Sequence, residues 1–81
     1  MDDITPRVRT IVHQLLAVDA PEDSIAPDTA IADLGADSLN RVEIAMSLED
    51  AFGIMITDDQ SRDIVTIADA ARLVRTLREA A

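Results

Sequence analysis

The chain has 81 residues and no cysteine, a length that fits one domain spanning residues 1–81 and a composition that excludes disulfides, thiolate metal centres and a cysteine nucleophile. Its formal net charge of −9 at pH 7 opposes nucleic acid and anionic membrane surfaces, which recruit cationic proteins, and favours partners with basic patches. Hydrophobic residues reach 48% while aromatics are 1%, so the core is Ile, Leu, Val, Ala and Met, a mixture that packs as helices more readily than as a sheet.

Thr5-Pro6 reads as a helix start, with Thr as N-cap and Pro at the first helical position. Val8, Ile11, Val12, Leu15 and Leu16 follow at helical spacing, and the helix must end before Pro21. His13 falls beside that stripe; as the only histidine it cannot build a zinc centre, and it reads as an ordinary exposed or half-buried helix residue. From Asp19 to Asp37 no period is sustained and two prolines interrupt the chain. A loop this long in a small domain is functional or pinned by its own side chains, and Ile25, Ile31 and Leu34 are the pins.

A second helix runs from Asp37 or Ser38 to Phe52, with Gly53 as its stop. Leu39, Val42, Ala45, Met46 and Phe52 share one apolar side, widened by Ile44, Leu48 and Ala51, an arc broad enough to touch more than one neighbour. Asn40, Glu43, Ser47 and Asp50 form a narrow polar strip. Thr57 followed by Asp58 and Asp59 opens a short third helix that ends near Asp63. Thr66 and Asp69 resemble a capping box, with Asp in place of Glu or Gln, ahead of the stripe Ile67, Ala70, Ala71, Val74 and Leu77 of a last helix. The expected fold is all-α: a four-helix bundle of three main helices and one short helix, with a long first loop, no strands and no repeats. No apolar stretch reaches the length of a membrane span, and MDDITPRV carries acid where a signal peptide carries positive charge. A cytoplasmic monomer is expected, and Met1 and Ala81 read as the ends of a complete chain.

The stretch LGADSLNRVEI, residues 34–44, sets a serine at the head of the second helix. A catalytic serine needs a base and an oxyanion site, yet the only imidazole is on another helix. The hydrolase elbow requires Gly two residues before the serine, where Ala36 stands. Asp33, Gly35 and Asp37 do not follow the calcium-loop pattern, so no metal site is expected either. Two readings remain. Asp37 or Ser38 is simply an N-cap, a contribution of about 1 kcal/mol; or Ser38 is modified by another enzyme, for which a helix N-terminus suits a phosphate.

The run from Ile31 to Ile56, IADLGADSLNRVEIAMSLEDAFGIMI, resembles the centre of an acyl carrier protein. The likeness extends to the apolar first helix, the long loop and the DAARLV block of the last helix. The resemblance implies a non-enzymatic carrier of acyl intermediates in fatty-acid, polyketide or specialised lipid biosynthesis. Ser38 would bear phosphopantetheine, installed from coenzyme A by a phosphopantetheinyl transferase, and Asp37 would help that enzyme position magnesium. Cargo would be held as a thioester on the arm's thiol.

With Ser38 at the head of the second helix, Val42, Glu43, Met46, Glu49 and Asp50 become a docking face for acyl-transferring, condensing or modifying enzymes with basic patches, although acidic helix faces are also plain solvated surface. Ile44, Leu48, Ile56 and Ala70 are candidates for an acyl pocket, against ordinary core packing. Asn40 and Arg41 depart from the Asp-Ser/Thr that fatty-acid members carry after DSL. Arg41 reads as a local pair with Asp37, as altered partner choice or as a preference for polar cargo. The competing functions are an unmodified acidic interaction module on the same fold and a peptidyl or aminoacyl carrier.

Overall fold

The computed structural model describes residues 3–80, which form α1 (Ile4–Leu16), α2 (Ser38–Phe52), α3 (Asp58–Arg62) and α4 (Ile67–Ala80). No strand occurs among the described residues; one isolated antiparallel bridge joins Ala30 to Thr66. This is the all-α bundle expected from the sequence. The expectation about the chain's ends at Met1 and Ala81 lies outside the described residues.

The three long helices bury one another. α1 packs against both α4 and α2, and the fully buried stripe of α4 (Ile67, Ala70, Ala71 and Val74) meets Val8 and Val12 of α1 and Ile44 and Leu48 of α2 in one cluster. Ile11, Leu15 and Leu16 pack around it half-buried, so the periodicity of α1 reports its inward face. Ile25, Ile31, Ile54 and Ile64 complete the core from the connecting segments.

α1 begins two residues earlier than Thr5-Pro6 implies. Asp3 occupies the N-cap position without a side-chain cap bond and Pro6 falls inside the first turn. Proline is tolerated there because first-turn N–H groups have no intrahelical acceptor. The helix ends well before Pro21, at Ala17, whose left-handed backbone (φ 50) lets the N–H groups of Ala17 and Val18 close on the carbonyls of Gln14 and His13. His13 is half-buried, its Nε2 2.7 Å from the Ala20 carbonyl oxygen.

The long loop is pinned as expected, by buried Ile25 and Ile31 and half-buried Leu34, but it is not irregular throughout. It folds into two short 3-10 turns, Glu22–Ser24 and Ile31–Leu34. Two backbone bonds tie it to the start of α4 and the segment just before: Ile31 N–H donates to the Val65 carbonyl at 2.8 Å, and Ala68 N–H donates to the Pro27 carbonyl at 2.8 Å. On α1, the Thr10 hydroxyl donates to the Glu22 carboxylate and so fastens the other half of the loop.

The box at the start of α4 forms. Asp69 N–H donates to Thr66 Oγ1 at 3.0 Å, while Asp69 Oδ2 accepts from Thr66 N–H at 3.1 Å and Val65 N–H at 3.3 Å. Arg72 pairs with the other carboxylate oxygen at 3.2 Å. The Thr66 N–H is the main reason this carboxyl titrates below its ordinary 3.8; burial opposes the shift, and Val65, the Thr66 side chain and Arg72 reinforce it. Phe52, the lone aromatic, lies under the guanidinium of Arg7 at 4.4 Å and within 5.8 Å of that of Arg78. Arg7 also donates to the Ala51 carbonyl at 3.4 Å, a cation at the negative end of α2.

Candidate functional site

The loop enters α2 through Gly35, whose φ of 97 is open to glycine and strained for other residues. Asp37 follows in extended geometry as the N-cap. Its Oδ1 accepts from Asn40 N–H at 2.9 Å, and Asn40 Oδ1 accepts from Asp37 N–H at 3.1 Å, a complete reciprocal box. The cap is therefore Asp37, and Asn40 is the residue that closes it. Ser38 is the first residue of the helix proper.

That assignment frees the Ser38 side chain. Ser38 is exposed, and its hydroxyl makes no hydrogen bond to any described residue. Among the other serines, Ser24 Oγ donates to the Pro21 carbonyl at 2.6 Å, Ser61 Oγ donates to the Asp58 carbonyl at 2.7 Å, and Ser47 is half-buried. The cap of the first reading is thus met by Asp37, and the Ser38 hydroxyl is left open to the second, modification by another enzyme.

Ser38 opens onto a cleft of about 470 Å³ between α2 and α3, lined by Ser38, Arg41 and Val42 on one side and Asp58, Ser61 and Arg62 on the other. No ion pair joins Arg41 to Asp37 among the described residues. The Asp37 carboxylate is turned to the Asn40 N–H instead, so the local-pair reading of Arg41 is set aside; Arg41 is one of the residues lining the cleft. Arg62 pairs with Asp59 at 3.3 Å, both side chains largely in solvent.

Along α2 the apolar arc divides. Ile44, Ala45 and Leu48 are buried, but Leu39, Val42 and Met46 are 68%, 52% and 61% exposed. The arc is wide because part of it faces water, not because every residue meets a neighbouring helix. Glu43 and Asp50 are exposed beside this stripe. Glu49 also supports the fold. Its Oε2 accepts from Ile56 N–H at 2.8 Å and its backbone carbonyl from Gly53 and Ile54 N–H, which anchors the connection to α3. A shallow groove lined by Met46, Ser47, Glu49, Asp50, Ile54 and Met55 continues the face toward the end of α2.

Leu39, Met55 and Arg62 join this region without having been singled out in the sequence as site residues. Leu39 was legible, lying three residues before Val42 and seven before Met46; the positions of Met55 and Arg62 depend on how α3 folds back. Ile44, Leu48 and Ala70 are closed in the core at 1%, 0% and 0% exposure, with Ile56 half-buried against them. No group of three or more metal-ligating side chains converges among the described residues, and no helix among them is long and apolar enough to cross a membrane.

The class of protein follows from comparison with known families: the phosphopantetheine attachment site family matches residues 6–77. An acyl carrier protein of Sinorhizobium fredii (strain NBRC 101917 / NGR234) is 45% identical over 74 residues, covering 91% of this chain and 94% of that protein. The acyl carrier protein AcpP of Rhizobium meliloti (strain 1021) matches with the same identity and coverage. The chain belongs to the acyl carrier proteins, whose prosthetic group is phosphopantetheine.

The head of α2 fits that group. A phosphodiester requires donors or cations and space. The first N–H groups of a helix have no internal acceptor and lie at its positive end, and two arginines, Arg41 and Arg62, are among the residues lining the adjoining cleft. The neighbouring Asp37 carboxylate opposes the added charge.

Proposed function

We propose that this chain, as one domain over residues 1–81, is a monomeric cytoplasmic carrier that holds acyl groups as thioesters on a phosphopantetheine arm attached to Ser38. The observation that carries the reading is the exposed, unengaged Ser38 hydroxyl at the first turn of α2, beside a cap that leaves it free. The protein performs no chemistry on its cargo; the work of its residues is presentation. Asp37 holds the helix start rigid with one oxygen and offers the other to the magnesium of the phosphopantetheinyl transferase.

The exposed stripe of Leu39, Val42 and Met46, flanked by Glu43, Glu49 and Asp50, is the docking face. Carboxylates steer basic partner patches into contact and the apolar side chains then bury against them. Acyl-transferring, condensing and modifying enzymes of fatty-acid synthesis are the proposed partners. Ile44, Leu48, Ile56 and Ala70 are the residues that repack if an acyl chain enters the bundle.

Incubation with coenzyme A and a broad-specificity transferase tests the assignment by intact mass. The wild-type chain gains one phosphopantetheine and Ser38→Ala gains none; an adduct on Ser38→Ala refutes the site. Glu43→Lys with Asp50→Lys slows loading about tenfold at low ionic strength, and the difference shrinks near 0.15 M salt, where the screening length is about 8 Å. Equal rates at low salt refute the docking face.

A further inference from the structure

Sulfur is distributed unevenly in this fold. Methionine is among the residue types most often found buried, and the composition placed it with the core-forming residues. The buried cluster nevertheless consists of valine, isoleucine, leucine and alanine, and no methionine is among the half-buried residues packed against it. Met46 and Met55 are instead 61% and 84% exposed. They come from different elements, the middle of α2 and the connection to α3, and line one groove with Ser47, Glu49, Asp50 and Ile54. The third methionine, Met1, lies outside the described residues.

Exposure opens both thioethers to peroxide, and the chain has no cysteine to intercept the oxidant. The sulfur lone pair attacks one oxygen of hydrogen peroxide, so that an S–O bond forms as the O–O bond breaks. The proton of the attacked oxygen passes to the departing hydroxide, which leaves as water. Sulfur is oxidised to the sulfoxide and the peroxide is reduced. Two thiols of a methionine sulfoxide reductase reverse the step, yielding the thioether, a disulfide and water. A sulfoxide is polar and chiral, and its oxygen must be stripped of water when a partner closes over it. Since neither thioether packs in the buried cluster, the change falls on recognition and spares the core.

Resting on the docking face proposed above, we propose that Met46 and Met55 are a reversible, peroxide-sensitive modification site that weakens partner docking without unfolding the carrier. Glu43 and Asp50 still steer basic patches toward the oxidised face, but the apolar contact that follows is spoiled at two points. The effect therefore lies in the contact after encounter, and it persists at salt concentrations that screen the carboxylates.

Dilute hydrogen peroxide applied to the apo chain, which has no arm thiol to react, tests this. Peptide mapping finds one added oxygen on each of Met46 and Met55, and the melting temperature moves by less than about 4 °C. Loading from coenzyme A by the broad-specificity transferase slows about tenfold, the loss persists at about 0.15 M salt, and reductases for both sulfoxide epimers restore the rate. The chain with Met46→Leu and Met55→Leu keeps its own rate through the same treatment, whatever oxygen Met1 takes up. Sulfoxide at both positions with loading at the untreated rate overturns the modification site alone where Glu43→Lys with Asp50→Lys still slows loading. It overturns the docking face as well where that charge-reversed chain loads normally. Oxygen confined to Met1, slowing that the reductases leave in place, or unfolding on oxidation each overturns the proposal.

Discussion

α2 and α4 are of nearly equal length and begin with the same device, a reciprocal box between the N-cap side chain and the third helical residue, yet the two boxes leave different surroundings. At α4, Asp69 is consumed: its carboxylate takes two backbone N–H groups and Arg72, and every apolar residue of the following stripe from Ile67 to Val74 is buried or half-buried. At α2, Asp37 and Asn40 satisfy one another and leave Ser38 with nothing to do in the fold. The helix then exposes Leu39, Val42 and Met46 to water. α4 has the arrangement that stability alone selects. α2 departs from it at the positions proposed for attachment and docking.

Substitutions on the two helices separate stability from function. Ile67→Ala removes a wholly buried side chain from the centre of the core and lowers unfolding free energy by about 2–5 kcal/mol, measured by urea denaturation; a loss under about 1 kcal/mol breaks the contrast. Asp69→Ala removes half of the box that caps α4 and costs about 1–2 kcal/mol near neutral pH. The folded carboxyl titrates below 3.8, so its stabilisation is present above that pH and is lost as pH falls through the folded value. Melting curves of wild type and Asp69→Ala therefore converge in acid, and a constant gap contradicts the assignment. Met46→Ala, on the exposed stripe, changes stability by less than about 0.5 kcal/mol while weakening transfer to a partner enzyme; a large loss of stability places Met46 in the core instead.

What the sequence made legible is the local part. The bounds of α2, the Gly53 stop, the short α3 behind Thr57 and the Thr66–Asp69 box all follow from residues within one turn of each other, and the structure has each of them. The start of α1 was misplaced because a proline fits anywhere in a first turn. The 3-10 turn at Ile31–Leu34 was not legible, since a bond that holds it comes from Val65, far along the chain. Spacing indicated the width of the apolar arc on α2 but not which part has a neighbour. Arg41 was open to misreading for the same reason: one turn of helix offers Asp37 as a partner, whereas the fold gives that carboxylate to Asn40 and sets Arg41 at the cleft.

The most direct test is where the arm resides on protein isolated from its own cells. Fragment mass spectrometry of that material is expected to find phosphopantetheine on the fragment containing Ser38 and none on those containing Ser24, Ser47 or Ser61. A population without the adduct, or one bearing it on another serine, contradicts the account.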